Sequence, residues 1–423
     1  MFIWVLLSII LGIGCGIAFP QLMISLKWIG KLYINLLTLI ALPLIFSALV
    51  SAITSIGNVK RLGNIGVYTI FYVLSSVAVA VFIGLVLLNL FKPGVGMSPS
   101  LILANATASP VLLKTLDLSS FLMTIFPPNI VEAAAKFEIM PIVFFSIVFS
   151  IACISVGETA KPVIDLFSGL RNVFVKMIIW LMHLTPIGLF SLLGSAAAEA
   201  ALQNNLMHSL ESMLLFILIF IIGLFLQFLW QLMVIKFITG RNTRVFFRQA
   251  SRAMLTAFAT SSSMATLPVT LHVAEEQGIS DEVARFILPF ATTINLAGTA
   301  MYEAVSTLFF CQILGLHLSI YSQIGVFLAS IMAGMGATGI PEGGLVTMVM
   351  VLRSVNVPAS AISLLLPFDR ILDRFRTVVN VWGDLVCAAT VDYFVKKPYK
   401  VIAANNPLSK HQENFKLITS KIE

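Results

Sequence analysis

The sequence predicts an all-α polytopic membrane protein with eight transmembrane helices and two re-entrant helical hairpins. Three observations carry this. Apolar residues make up 59% of the 423-residue chain and charged residues only 11%, against about 25% charged in ordinary soluble domains, and the mean hydropathy is +1.00. The apolar runs have the length of a spanning helix, roughly 20 residues, not the ten or so of a barrel strand. Two further runs are broken at their middle by small polar residues, which a straight span does not require.

Six runs read as plain spans: about 1–20, 29–55, 65–91, 139–155, 172–195 and 210–238. The first, "MFIWVLLSIILGIGCGIAFP", lacks the basic n-region of a cleaved signal peptide, so it is expected to stay as a span. With the N-terminus in the cytoplasm, Lys60, Arg61, Lys161, Arg171, Lys236, Arg241, Arg244, Arg248 and Arg252 all fall inside. Lys27, Lys31, Lys92 and Lys114 run against the trend, but the inside excess holds. Residues 93–120 read as an outer loop, and "NAT" at 105–107 is a weak glycosylation match within it. "FPPNIVEAAAKFEIMP" follows, broken by prolines and charge, and predicts irregular lead-in helices before the fourth span. The net charge of +7 comes from short loops and the tail at 396–423, and needs no nucleic-acid partner. Both termini are placed in the cytoplasm. The short loops point to a bacterial inner membrane.

From 245 the pattern changes. "MLTAFATSSSMATLPVTLHVA" (254–274) and "SIMAGMGATGIPEGGLVTMVMVL" (330–352) each split into arms of about 12 residues, or roughly 18 Å at 1.5 Å per residue. Neither arm crosses a hydrocarbon core of about 30 Å. Both therefore read as hairpins, bounded at 245–275 and 321–355, whose tips must line a protein or water-filled cavity. Between them lies span seven, 281–313, interrupted by "TTINLAGT". Span eight follows at 361–395. Glycine and serine can serve close helix packing alone, but two hairpins and a broken span in one half point to a binding cavity near the midplane. The four cysteines (Cys15, Cys153, Cys311, Cys387) lie in apolar runs with no CxxC pair, and read as small core residues.

The last span carries "FDRILDRFRTVVNVWGDL", with three Asp and three Arg. At about 100° per residue, Asp369, Asp373, Arg376, Asn380 and Asp384 share an arc of about 80°, with Thr377 at its edge; Arg370 and Arg374 lie off it. Each Asp or Arg at a span centre costs roughly 2.5–3.5 kcal/mol on insertion scales, so six would cost on the order of 15 kcal/mol. The stripe must face protein, water or ligand. The plainer alternative is internal pairing, Asp373 with Arg376 for example. An Arg fork suits a carboxylate and an Asp one turn away suits an ammonium. Together they describe an amino acid with a second acidic group. Asn380, Asp384 and Asn295 offer oxygens to a hard cation such as Na⁺. The serine tip and "GATGIPEGG" offer hydroxyls and backbone N–H groups to a carboxylate.

At these residues the sequence resembles the glutamate transporter family, the dicarboxylate/amino acid:cation symporters. The match runs in order through "TPIG" at 185–188, "MLTAFATSSSMATLPVT", "INLAGTAMYEAV", "GIPEGGLVTMVMVL" and "DRILDRFRTVVNVWGD". The resemblance implies a homotrimer in the lipid bilayer. Spans one, two, four and five (1–60 and 121–205) would form a fixed scaffold. Span three (65–92) and 206–395 would form a transport domain that moves as an elevator, with the second hairpin as outer gate. It implies no organic cofactor and Na⁺ as coupling ion. Arg376 would hold the substrate side-chain carboxylate and Asp373 its amino group, with Thr299, Thr377 and Asn380 adding polar contacts. Ser263 would hold the α-carboxylate, and backbone at Ile340 and Gly344 would close the site. Asp384, with carbonyls of Ala291, Asn295 and Asn380, would bind one Na⁺. Backbone near Thr293, Leu296 and the second hairpin would bind another, and Asn295, Ser75 and Ser76 a third.

The departures from the family pattern bear on this. The family's Asn-Met-Asp-Gly-Thr is Asn-Leu-Ala-Gly-Thr at 295–299, so Ala297 removes a carboxylate from the third cation site, which is expected to be weak or absent. Glu303 stands where animal members carry a proton-coupling Glu; its alternative is a buried structural pair. Ser261 and Arg374 match the animal pattern, in which the arginine sits on the last span. Glu342 is unusual at a hairpin tip: it counts against an acidic substrate unless it points to outside water. Rival readings are a neutral amino acid or C4-dicarboxylate carrier of the same family, and an intramembrane aspartyl protease using Asp373 and Asp384. Those two carboxylates lie roughly 16 Å apart along one helix, too far to share a water.

Overall fold

The computed structural model describes residues 2–61, 64–99, 102, 126–136, 139–202, 206–337, 339 and 343–405. Most of the predicted outer loop, the sequon at 105–107, Ile340 and Glu342 at the second hairpin tip, and the tail beyond 405 lie outside the described residues.

Every element among the described residues is a helix. Helix α1 (Phe2–Ala18) ends at Phe19, and α2 (Pro20–Ser25) starts on a proline, whose fixed φ suits the first helical turn. The chain bends there by 118°, so the predicted first span stops at Ala18. Helix α3 (Lys27–Arg61) and α4 (Asn64–Phe91) follow. The predicted lead-in is α5 (Ile130–Ala135), capped by the Asn129 side chain, and the fourth span begins as α6 (Ile139–Val156).

The boundary between predicted spans four and five is displaced. Helix α6 passes through a 3₁₀ turn at Gly157–Ala160 into α7 (Lys161–Met182), and 144–181 qualifies as one spanning length. The break comes later, at His183 and Leu184, before α8 (Thr185–Leu202). The predicted fifth span, 172–195, is thus divided between two helices. The physical reason is Pro186: without an N–H it opens a new helix more readily than it continues an old one.

Helix α9 (Leu206–Val234) ends in a π turn at Ile235–Thr239. The first hairpin is α10 (Thr243–Thr260) and α11 (Ser263–Glu276), which pack on each other; Ser261 reverses the chain at φ 52° and Ser262 caps α11. Its first arm is 18 residues, longer than expected, because the charged segment 244–252 is helical too. Span seven is broken as predicted, into α12 (Asp281–Ile294) and α13 (Ala297–Ile313), with Asn295 and Leu296 non-helical between them. The second hairpin is α14 (Ile320–Gly336) and α15 (Gly343–Ser354). A short 3₁₀ segment (Ala359–Leu364) leads to α16 (Leu366–Asn405).

Two packing groups emerge. Helices α1, α2, α3, α6, α7 and α8 associate largely with one another; α4 and α9 to α13 pack on α16, and α14 and α15 join that group through α13. Glycines bring α1 onto α8: a Cβ on Gly16 would lie 2.4 Å from the Gly194 carbonyl oxygen, so only glycine permits that approach. Helix α16 is central. Of its membrane-length window 78% is buried, against 17% for 144–181. Among the described residues, four helical runs are long and apolar enough to cross a bilayer, and the bent pair around Phe19 makes a fifth candidate.

Candidate functional site

The stripe on α16 faces inward. Asp369, Asp373, Arg376, Thr377, Asn380 and Asp384 are all buried, while Ile371 and Phe375 on the opposite side are exposed. Arg376 is fully enclosed. Its Nη2 donates to Asp369 Oδ1 and Asp373 Oδ1, each at 2.8 Å, and its guanidinium stacks on Tyr302 with the carbon 4.1 Å from the ring centroid. Its Nε and Nη1 have no partner among the described residues. A buried guanidinium normally satisfies its donors, so the free edge of the fork is a candidate ligand-binding surface. The internal pairing foreseen as the plainer alternative is therefore real, and it leaves half of the fork unused.

The free edge looks at the second hairpin. A Cβ on Gly344 would sit 3.5 Å from Arg376 Nη1 and 2.7 Å from Thr299 Cγ2. Glycine at the start of α15 thus lets backbone approach the guanidinium. Asn380 Oδ1 accepts from Gly298 N at 2.8 Å, and its Nδ2 donates to Thr299 Oγ1 at 3.3 Å. The structure so brings Arg376, Asp373, Asn380, Thr299 and Gly344 together. Thr377 is adjacent, but its hydroxyl donates to the Asp373 carbonyl of its own helix at 2.7 Å.

The two hairpin tips meet. Ser262 Oγ donates to the Gly339 carbonyl at 2.8 Å, and Met264 N donates to the same oxygen at 3.2 Å. Ser263 is buried beside them, its Cβ 3.4 Å from where a Gly339 Cβ would be. Arg374 ties α16 to the first hairpin, Nη1 donating to the Phe258 carbonyl at 3.0 Å. Arg374, off the polar stripe, is thereby engaged by the first hairpin.

Below Arg376, Asn295 Nδ2 donates to Asp384 Oδ1 at 3.0 Å. Asp384 Oδ2 and Asn295 Oδ1 are buried without partners among the described residues. An uncompensated carboxylate in a dry interior costs several kcal/mol, and two orphaned oxygens on hydrogen-bonded neighbours suit a hard monovalent cation. The carbonyls of Ala291 and Leu296 close the last and first turns of the broken span, accepting from Asn295 N and Ala300 N. A Cβ on Gly334 would lie 3.5 Å from the Leu296 oxygen, so the second hairpin passes against it. Thr293 is half-buried, its hydroxyl donating to Phe290 O at 2.7 Å. Of the pair expected at the third cation position, Ser76 is buried, whereas Ser75 turns its hydroxyl to the Tyr72 carbonyl of its own helix at 2.8 Å. Glu303 is fully buried between α13 and α15 and accepts from the Thr347 hydroxyl.

Several residues escaped the sequence reading. Tyr302, which carries the guanidinium, and Thr347, which holds Glu303, lie on helices whose facing surfaces no single-chain periodicity reveals. Asp369 belonged to the stripe but received no role. Gln227 and Gln231 were legible as two amides four residues apart in an apolar span.

Comparison with known proteins agrees with this geometry. Residues 1–394 match the model of the sodium:dicarboxylate symporter family. The chain is 31% identical to excitatory amino acid transporter 3 of Mus musculus, over 87% of this chain and 79% of that protein. It is 28% identical to the proton/sodium-glutamate symport protein of Geobacillus stearothermophilus, over 91% and 92%, and 29% identical to the C4-dicarboxylate transport protein of Bacillus subtilis, over 92% and 91%. These relatives are carriers rather than enzymes, and the aspartyl protease reading falls away. A buried Arg–Asp stripe, two hairpins meeting at their tips and a broken seventh span accompany a family match over nearly the whole chain: the protein belongs to the sodium:dicarboxylate symporter family.

Proposed function

We propose that the protein is a secondary active symporter that takes up acidic amino acids, glutamate or aspartate, coupled to Na⁺. The observation that carries this is the half-used fork of Arg376 beside Gly344. A carboxylate bound there gains charge-assisted hydrogen bonds in a water-poor site. The substrate amine would pair with the Asp373 carboxylate, and its α-carboxylate with the hydroxyl of Ser263 and backbone of the second hairpin near Ile340. Na⁺ would sit on the free oxygens of Asp384 and Asn295, with carbonyls of Ala291 and Asn380. A second Na⁺ would use backbone near Thr293 and Leu296. Cation binding would neutralise Asp384 and press the second hairpin closed, so substrate and ion enter together. Glu303 would carry a proton through the same cycle.

In this reading α4 and α9 to α16 form the moving transport domain. Helices α1 to α3 and α6 to α8 form the scaffold of a homotrimer in the cell membrane, with both termini cytoplasmic. The packing groups support that division. The carboxylates of Asp369 and Asp373 already engaged by Arg376 favour one alternative, a C4-dicarboxylate with no amine to receive. The test is Na⁺-driven aspartate uptake into proteoliposomes, competed with glutamate, alanine, serine and succinate, and repeated with Arg376→Cys. Competition by glutamate but not succinate is expected, with acidic preference lost in the variant. Stronger competition by succinate selects the dicarboxylate reading. A variant that keeps its acidic preference refutes the role of Arg376. Uptake indifferent to an imposed pH gradient refutes the role of Glu303.

A further inference from the structure

A cavity of about 400 Å³ lies between the two packing groups, within the roughly 300–1,000 Å³ of small-molecule sites. Ser51 of α3 and Arg171 of α7 reach it from the first group. Arg285, Phe286 and Phe290 of α12 and residues 335–337 at the end of α14 reach it from the second. Two of the lining side chains are arginines, and among the described residues none is acidic. Arg171 is half-buried and makes no hydrogen bond or ion pair among the described residues. Arg285 is exposed and gives its Nε to Asp281 Oδ1 at 2.6 Å. Its two Nη groups have no partner among the described residues. A guanidinium drawn partly out of water calls for an answering charge, and no described residue supplies one to Arg171. Its planar fork matches a carboxylate. Phe286 and Phe290 offer an apolar surface to the carbon chain of an organic acid.

The cavity adjoins the tip of the second hairpin. A Cβ on Gly336 would lie 3.3 Å from Leu49 Cδ2 of α3. One on Gly339 would lie 2.6 Å from the Thr292 carbonyl oxygen of α12 and 3.4 Å from Ser263 Cβ. Gly336 beside the cavity and Gly339 beside the serine tip are neighbours in the chain, so the hairpin tip stands between the cavity and the central site. We infer that the cavity is a second subsite for the acidic substrate, in which Arg171 and the free edge of Arg285 hold its two carboxylates as it passes the second hairpin. A ligand with two carboxylates answers both arginines at once. The arginines stand on different packing groups, so the subsite is complete only in this arrangement of the two. A ligand that bridges them holds that arrangement, and abundant acidic substrate slows the movement of one group past the other.

The inference rests on the acidic-substrate reading above, and its test separates the two. The central site of that reading fills only with Na⁺, so the full-length protein is studied in choline buffer with a bulky sulfonate counterion. Saturation-transfer NMR then reports weak binding of aspartate, glutamate or succinate. A saturable aspartate signal is expected in wild type. Each arginine replaced by glutamine should weaken that binding roughly tenfold, the worth of one charge-assisted contact. An equal concentration of chloride should leave aspartate in place. An undiminished signal in Arg171→Gln/Arg285→Gln, displacement by chloride, or no signal for any of the three acids overturns the subsite and leaves the transport reading intact. A signal for succinate but not for aspartate keeps the subsite and overturns the amino acid reading. Absent Na⁺-driven aspartate uptake overturns the transport reading, and the choline measurement still decides the inference. If the double variant does not fold, Arg285→Gln, at an exposed position, decides alone.

Discussion

Replacing Asp384 by asparagine separates stability from function in a measurable way. The wild-type carboxylate is fully buried, receives one hydrogen bond from Asn295 at 3.0 Å, and leaves Oδ2 without a partner. Without cations, this charge costs the folded state several kcal/mol. Asparagine keeps the size and the acceptor and removes the charge, so the variant should be the more stable protein in choline buffer. In sodium the gap narrows. Wild type gains RT ln(1 + [Na⁺]/Kd), about 2.7 kcal/mol at a hundredfold excess over Kd, and the variant loses that site's share. Scaling the usual unfolding entropy to 423 residues gives about 1 °C per kcal/mol. Unfolding midpoints of the purified protein in choline and in sodium, at equal ionic strength, provide the assay. The expected result is a variant that melts a few degrees higher in choline, responds weakly to sodium and does not accumulate aspartate. A variant that melts lower in choline, or keeps the full sodium shift, refutes Asp384 as the cation carboxylate.

Two further outcomes follow from local geometry. Ser262→Ala removes the cap on Ala265 N and the bond to the Gly339 carbonyl. A loss of about 1–2 kcal/mol there should open the hairpin tips about 5- to 30-fold more often, read as faster hydrogen exchange at 262–266; unchanged exchange refutes the contact. Gly16→Ala sets a methyl against the Gly194 carbonyl and should lower stability by about 1–3 kcal/mol. Gly14→Ala, whose methyl meets nothing within 4 Å, should be neutral or slightly stabilising, and equal effects at both positions would contradict the α1–α8 packing.

How much the sequence revealed depended on whether the signal was local. The polar stripe on α16 is periodic, so the shared face of Asp373, Arg376, Asn380 and Asp384 could be read before any partner was known. The interruption at Asn295 and Leu296 and the serine tip at 261–263 were legible for the same reason: small polar residues inside an apolar run have few membrane-compatible structures. The position of a helix break was less legible. Gly157 and Lys161 advertised a boundary that the chain passes with a single 3₁₀ turn, while the true break lies before Pro186, because local signals compete and packing chooses among them.

The sequence by itself determined the membrane class, the hairpins and which residues had to hide their charge, since transfer into hydrocarbon penalises each residue wherever its neighbours lie. Only the tertiary structure decided how each charge is answered. Asp369 and Asp373 take one nitrogen of Arg376 and leave the rest of its fork without a partner among the described residues. Thr347 finds Glu303 across 44 positions of chain, and two glutamines of α9 turn their donors onto Ser76. Hydrogen bonds act over about 3 Å, and which groups come that close is settled by the packing of helices far apart in sequence.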